Sequence, residues 1–227
     1  MQRIWEFTPW LPYEIGRGRL VSHCRFRNSD EVFDAGMIPG RRRDTPFPVP
    51  QLELTLPDFS VDCFSWDARL LVSERMRAAM ALSPDEAEYF PVDATGSAAV
   101  PRAMNYMVMN VVATDRVSYP QPAGEFASRP DFLASLIPAS NAIDVNATPR
   151  HRLFHDEQFI GSRFCTDELA MAVLRAGCTG VRFFDPRHSD SSAPMRFRTL
   201  RGVEQEGDWD PVNKIEHTTV VEAATEA

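Results

Sequence analysis

Two stretches of this chain share one pattern, and that pattern limits the fold more than any other feature. The first runs from Leu70 to Leu82 and is followed by Glu88-Tyr89-Phe90-Pro91-Val92. The second runs from Arg163 to Gly177 and is followed by the segment Gly180 to Pro186. Each reads as strand, capped helix, strand, proline. Ser73 and Thr166 offer a side-chain oxygen to the free amides at a helix start. Glu74, Asp167 and Glu168 place negative charge at the positive end of the helix dipole. Met76, Ala79 and Met80 fall at helical spacing on one face, as do Leu169, Val173 and Leu174 in the second unit. Gly177 suits the left-handed residue that ends a helix. Two such units either occupy comparable positions on one sheet or are ordinary β-α-β pieces that are alike by chance.

The remaining segments read mostly as strands and loops. Ile4, Trp5 and Phe7 predict a short strand, Leu20 to Phe26 another, and Gln51 to Leu56 a third that stops at Pro57. Met104 to Val112 is long, apolar and free of Pro and Gly, which suits a buried central strand, although periodicity alone admits a helix. Short strands are expected at Ala142 to Val145 and Leu153-Phe154, and a last one at Met195 to Leu200. Met37 to Pro50 holds four prolines and a glycine and reads as an exposed loop. Its Arg41-Arg42-Arg43 triplet suits a solvated cluster better than an anion site. Ser118 to Pro130 and Pro186 to Pro194 are further loops. The fold class expected is α+β: a single domain with a mixed or mainly antiparallel sheet and a few short packed helices.

At 227 residues the chain is long enough to bury a core without disulfides or metals. No apolar run is long enough to span a bilayer as a helix, and the segment Met1 to Phe7 lacks the apolar core of a signal peptide. A cytoplasmic location is expected. Cys24, Cys63, Cys165 and Cys178 match no metal or disulfide spacing and suit small core residues in a reducing compartment.

Charge is unevenly spread. The formal net charge is −8, and from Val203 onward seven carboxylates face Lys214 alone, which leaves −6 there and −2 in residues 1–202. A nucleic-acid binder would carry a basic face or a high pI, so nucleic acid is not an expected partner. The organisation expected is one domain over residues 1–202 and an acidic tail over 203–227, for which partial disorder is the default compositional reading. Within that tail Glu204, Glu206, Asp208, Trp209 and Asp210 form the candidate partner-binding segment, since an acidic stretch with an aromatic anchor speeds encounter with a basic surface.

Signals for catalysis are thin. His151 and His155 hold the one tempting metal spacing, but no third ligand is placed by the sequence and hydrogen-bonded histidines explain the pair more simply. His23 and Cys24 are adjacent, so on a strand they face opposite ways. Neither a glycine-rich phosphate loop nor a nucleophile elbow is present. No catalytic residue, metal site or cofactor is assigned.

The blocks Leu71 to Met76, Tyr89 to Val92, Tyr106 to Val111, Phe164 to Leu169 and Ala176 to Phe183 stand in an order and spacing that resemble a known family. It is the predicted immunity proteins of bacterial polymorphic-toxin and type VI secretion loci, first catalogued as a domain of unknown function and typified by a Myxococcus protein. The resemblance covers residues 52–186. It implies a stoichiometric inhibitor that binds a cognate toxin, with no catalytic residue to carry over. A secretion-system adaptor that binds an effector, and a small enzyme, are the competing readings.

Overall fold

The computed structural model describes residues 4–9, 24–54, 61–66, 69–95, 105–119, 143–144, 146–184, 186, 197–198 and 204–205. The elements in chain order are β1 (Ile4–Pro9), β2 (Cys24–Phe26), α1 (Ser29–Asp34), β3 (Leu52–Leu54), β4 (Cys63–Trp66), β5 (Arg69–Ser73), α2 (Glu74–Met80), β6 (Ala87–Pro91), β7 (Tyr106–Val111) and β8 (Thr114–Asp115). They continue with β9 (Leu153–Asp156), β10 (Arg163–Thr166), α3 (Asp167–Arg175), β11 (Val181–Phe184), β12 (Phe197–Arg198) and β13 (Glu204–Gln205). Short helices beside mainly antiparallel sheets make the chain an α+β protein, as the sequence predicts.

The two similar units do take comparable positions, but on two sheets rather than one. One sheet has the order β4-β5-β7-β6, the other β11-β1-β10-β9-β8. In the first, β5 and β6 both pair antiparallel with β7 and so run parallel to each other on either side of it. In the second, β10 and β11 flank β1 in the same way. Each unit also begins with an antiparallel hairpin, β4 with β5 and β9 with β10. The registers correspond residue by residue. Ser73 lies opposite Tyr106 where Thr166 lies opposite Ile4, and Phe90 lies opposite Val108 where Phe184 lies opposite Glu6. Two sheets form because each unit already has a strand filling the gap between its parallel pair.

Local chemistry sets both strand-to-helix corners. Ser73 accepts a hydrogen bond from the Met76 amide at 3.1 Å, and Thr166 accepts one from the Leu169 amide at 3.4 Å. Each helix therefore starts on the residue after its strand, with no loop between. Gly177 ends α3 at φ +66°, and Ala81 takes the same left-handed role after α2 at φ 44°. Alternation along the strands splits the core by face. Trp5, Phe7, Cys63, Leu70, Val72, Met109, Leu153, Cys165, Val181 and Phe183 point to one shared core, which Met76 and Met80 of α2 and Leu169, Val173 and Leu174 of α3 complete. The opposite face of the first sheet is covered by residues from β2, β3 and α1 around Phe64, Leu71 and Val108. The opposite face of the second is packed by Ala113, Val117, Ile143 and Phe159 over Ile4, Phe154 and Phe164.

The turn after each helix reaches into the other unit. The Asp62 carboxylate, ahead of β4, accepts the Thr179 amide at 2.9 Å and its hydroxyl at 3.2 Å. Gly180 is required at this crossing, since a Cβ there would lie 2.0 Å from the Cys63 carbonyl oxygen. Reciprocally, Glu86, in the turn after α2, accepts the Arg152 amide at 2.6 Å, and the Arg152 guanidinium donates to the Ala81 carbonyl. Asp62 and Arg152 hold equivalent places, because their carbonyls accept the Ser73 and Thr166 amides respectively.

The proline-rich segment is ordered by its own arginine. Arg43 donates to the carbonyls of Ala35, Gly36 and Thr45 and to the Thr45 hydroxyl, and lies over the Phe47 ring. Arg42 donates to the Pro84 carbonyl. The triplet is thus not a freely solvated cluster: two of its three members are structural pins, although Arg42 is exposed as Arg41 is.

Candidate functional site

Four segments meet at one end of the two sheets: the turn at 38–43, the turn at 81–86, the β7–β8 connection, and residues 150–152. Gly40 places them. Its amide donates to the Val111 carbonyl at 3.0 Å, and its missing Cβ leaves room for the Thr114 methyl, which a side chain would meet at 2.6 Å. The Val112 amide donates to the Glu86 carbonyl at 3.0 Å, joining the β7–β8 connection to the turn after α2.

Around this junction stand five arginines and a histidine. Arg42 pairs with Asp85 at 3.3 Å, and Arg152 pairs with Glu86 at 3.5 Å, so two segments distant in sequence converge on one turn. Arg150 and His151 converge on Asp115: Arg150 through Nε at 3.0 Å, His151 through Nδ1 at 3.0 Å, with both backbone amides also donating. Arg116 follows Asp115 and is exposed, as is Arg41 beside Arg42. The carboxylates of Glu86 and Asp115 are buried while the arginines they hold reach outward, Arg150 with 77% of its side chain exposed and Arg152 with 32%; Arg42, 51% exposed, pairs instead with Asp85, which is itself exposed. Burial works to raise the Glu86 pKa, but the Ser83 and Arg152 amides and the Arg152 charge outweigh it and hold the carboxyl below its ordinary range. The outcome is an arginine-rich face, with Arg150 and Arg152 anchored by buried carboxylates, on a chain whose net charge is −8. Two aliphatic side chains border it, Ile38 at 59% and Ile160 at 39% exposure. Such a face can bind carboxylates or other anions through fixed guanidinium groups.

The histidines considered as a metal pair part company. His151 faces Asp115, whereas His155 is buried with Nδ1 bonded to the Ser162 carbonyl at 2.9 Å. Burial, and then the nearby Arg163 charge, push the His155 pKa down to about 4, so it is neutral at pH 7. Of the acidic candidates, Glu204 lies on β13, paired through the backbone with Arg198. Glu206, Asp208, Trp209 and Asp210 lie outside the described residues.

Other charged groups serve the fold. Asp62 accepts from Ser73 Oγ at 2.6 Å, from Arg75 and from Thr179. Burial works to raise its pKa, but Arg75, Ser73 and the Thr179 amide together hold it below the ordinary range. Asp156 accepts four backbone amides, those of Val117, Ser118, Gln158 and Phe159. The thiols of Cys63, Cys165 and Cys178 are buried, and burial raises all three, Cys178 to about 11. These thiols pack in the shared core, as a core reading of the cysteines expects.

Sequence reasoning did not single out Arg116, Arg150 or Arg152. The local signal was the run Arg150-His151-Arg152 itself, which the histidine spacing overshadowed. No protein-family model matches the chain, and no curated protein matches it.

Proposed function

We propose that this chain is a cytoplasmic immunity protein that neutralises a cognate bacterial toxin by stoichiometric binding, without catalysis. The observation that carries the reading is how the polar residues are spent. Asp62, Glu86, Asp115 and Asp156 use their oxygens on backbone amides, arginines and hydroxyls, as a rigid scaffold does. Rigidity favours tight binding because little conformational freedom is lost at the interface. The order and spacing of the blocks over residues 52–186 support the same reading through their resemblance to polymorphic-toxin immunity proteins. No helix among the described residues is long and apolar enough to cross a membrane.

Co-expression tests the proposal. The toxin encoded beside this gene is expressed in a heterologous bacterium with and without the chain, and the complex is recovered by affinity. Rescue together with a stable one-to-one complex is the expected result. Binding without rescue would favour a secretion adaptor, and rescue without a complex would favour enzymatic reversal of the damage.

A further inference from the structure

We propose that the arginine face formed by Arg41, Arg42, Arg116, Arg150 and Arg152 is the surface that receives the partner, and that its occupant is an acidic segment of the cognate toxin carrying an aliphatic or aromatic anchor. The proposal rests on the immunity reading and gives it a binding surface. It also moves that surface away from the acidic tail.

Charge complementarity is the first argument. The chain is acidic overall, yet five arginines gather where four segments converge; the carboxylates that hold Arg150 and Arg152 lie buried beneath, while Arg42 pairs with the exposed Asp85. An outward guanidinium whose inner edge is already fixed keeps donors free for a second carboxylate at little entropic cost. Arg41 is exposed on one of these four segments, and Arg116 is exposed directly after Asp115. Shape and polarity point to the same occupant. Ile38 and Ile160 stand exposed on the two segments that Gly40 brings together, its absent Cβ lying 3.5 Å from Ile160 Cδ1. Arginine beside apolar anchors is the composition of an interface centre between proteins. A phosphate backbone would gain nothing from the isoleucines. Third, the turn at 38–41 is fixed by the Gly40 bond to Val111 and by the Arg41 amide bond to the Ile38 carbonyl at 3.2 Å, so the face is formed before the partner arrives.

The experiment measures toxin affinity by calorimetry for the full chain, for the double variant Arg41→Glu/Arg116→Glu, for Ile38→Asp, and for Arg25→Glu as a control on β2. Among the described residues neither the Arg41 nor the Arg116 side chain makes a hydrogen bond or ion pair, and thermal unfolding of each variant checks that the fold persists. The expected result is a loss of about a hundredfold for the double variant and about tenfold for Ile38→Asp. Arg25→Glu should bind like wild type, and wild-type affinity should weaken as salt rises. Unchanged affinity in folded double and Ile38 variants overturns the proposal while leaving the immunity reading intact. No complex with the wild-type chain overturns both. Two further outcomes also overturn it: tighter binding on deleting residues 203–227 that needs Arg41 and Arg116 intact, which would make the chain's own acidic tail the occupant, and displacement of the toxin by a single-stranded oligonucleotide.

Discussion

The two strand–helix–strand units are built alike and closed differently. In the first unit the central strand is β7, which follows β6 in the chain. In the second it is β1, joined to β10 across nearly the whole sequence; the Trp5 indole donates to Asp167 over a separation of 162 residues. The helices also differ, seven residues in α2 against nine in α3. At equivalent places ahead of the two hairpins stand opposite charges, Asp62 and Arg152. The first unit therefore holds its neighbour's turn through a carboxylate, and the second holds its neighbour's through a backbone amide and a guanidinium. The same architecture is thus locked by opposite chemistry at its two crossings. Loop-closure entropy makes the difference in connectivity tolerable, because it rises only logarithmically with the length closed.

The largest predicted effect tests whether the two crossings are equally important. Asp62→Ala removes the shared acceptor of Ser73, Arg75 and Thr179 and leaves buried donors unpaired. It should cost about 2–4 kcal/mol in urea unfolding, chiefly from the Ser73 hydroxyl and the Thr179 amide left unpaired. Glu86→Ala strands the Arg152 and Ser83 amides and should cost about 1–3 kcal/mol. Equal losses would show that the crossings carry equal weight and that the charge difference is incidental.

Next in size are the helix caps. Ser73→Ala should cost about 1–2 kcal/mol, since the hydroxyl also donates to Asp62, whereas Thr166→Ala, with its longer cap bond, should cost about 0.5–1 kcal/mol. Thermal unfolding of the two variants in parallel decides, and a larger loss for Thr166→Ala would contradict the ranking.

The last effect is one of pH, and in the second unit His155 carries it. His155 is neutral when folded, with its pKa pushed down to about 4 by burial. The unfolded chain takes up this proton near pH 6.5, its ordinary value. Between these values the unfolded state binds more protons, so acidification from about 6.5 toward about 4 destabilises the fold. His155→Gln keeps a donor for the Ser162 carbonyl and does not titrate; its stability should fall less over that range than that of wild type. Asp62 has the usual carboxylate sign: its contribution is present at neutral pH and is lost only at lower pH, as the pH falls through its depressed folded pKa. Parallel pH profiles for wild type and variant would remove His155 from the account.

Much of the local structure was legible in the sequence. A cap acts over three residues, so Ser73 and Thr166 declared their helices without any knowledge of the fold. Gly177 declared an end, and the apolar run at 104–112 declared a buried strand. Four elements escaped notice: α1, β4, and the two-residue strands β8 and β13. Of α1 only Val32 is buried, and its Asn28 cap makes no side-chain cap bond, so it left little periodic signal. In β4, Cys63-Phe64-Ser65-Trp66 is too short to distinguish itself from a loop. The arginine face was less legible still, because its members come from four segments and each reads alone as ordinary surface charge.

What the sequence by itself determined is therefore what depends on neighbours within a turn or two: where helices start and stop, which side of each strand is apolar, and that two segments share one design. What only the tertiary structure decided is which distant strand fills each unit's central slot, and which arginines gather above Glu86 and Asp115. Backbone hydrogen bonds between strands are the same for every sequence. The choice between β1 and any other strand rests on side-chain packing and on charges brought together from far along the chain, and a linear pattern does not contain either.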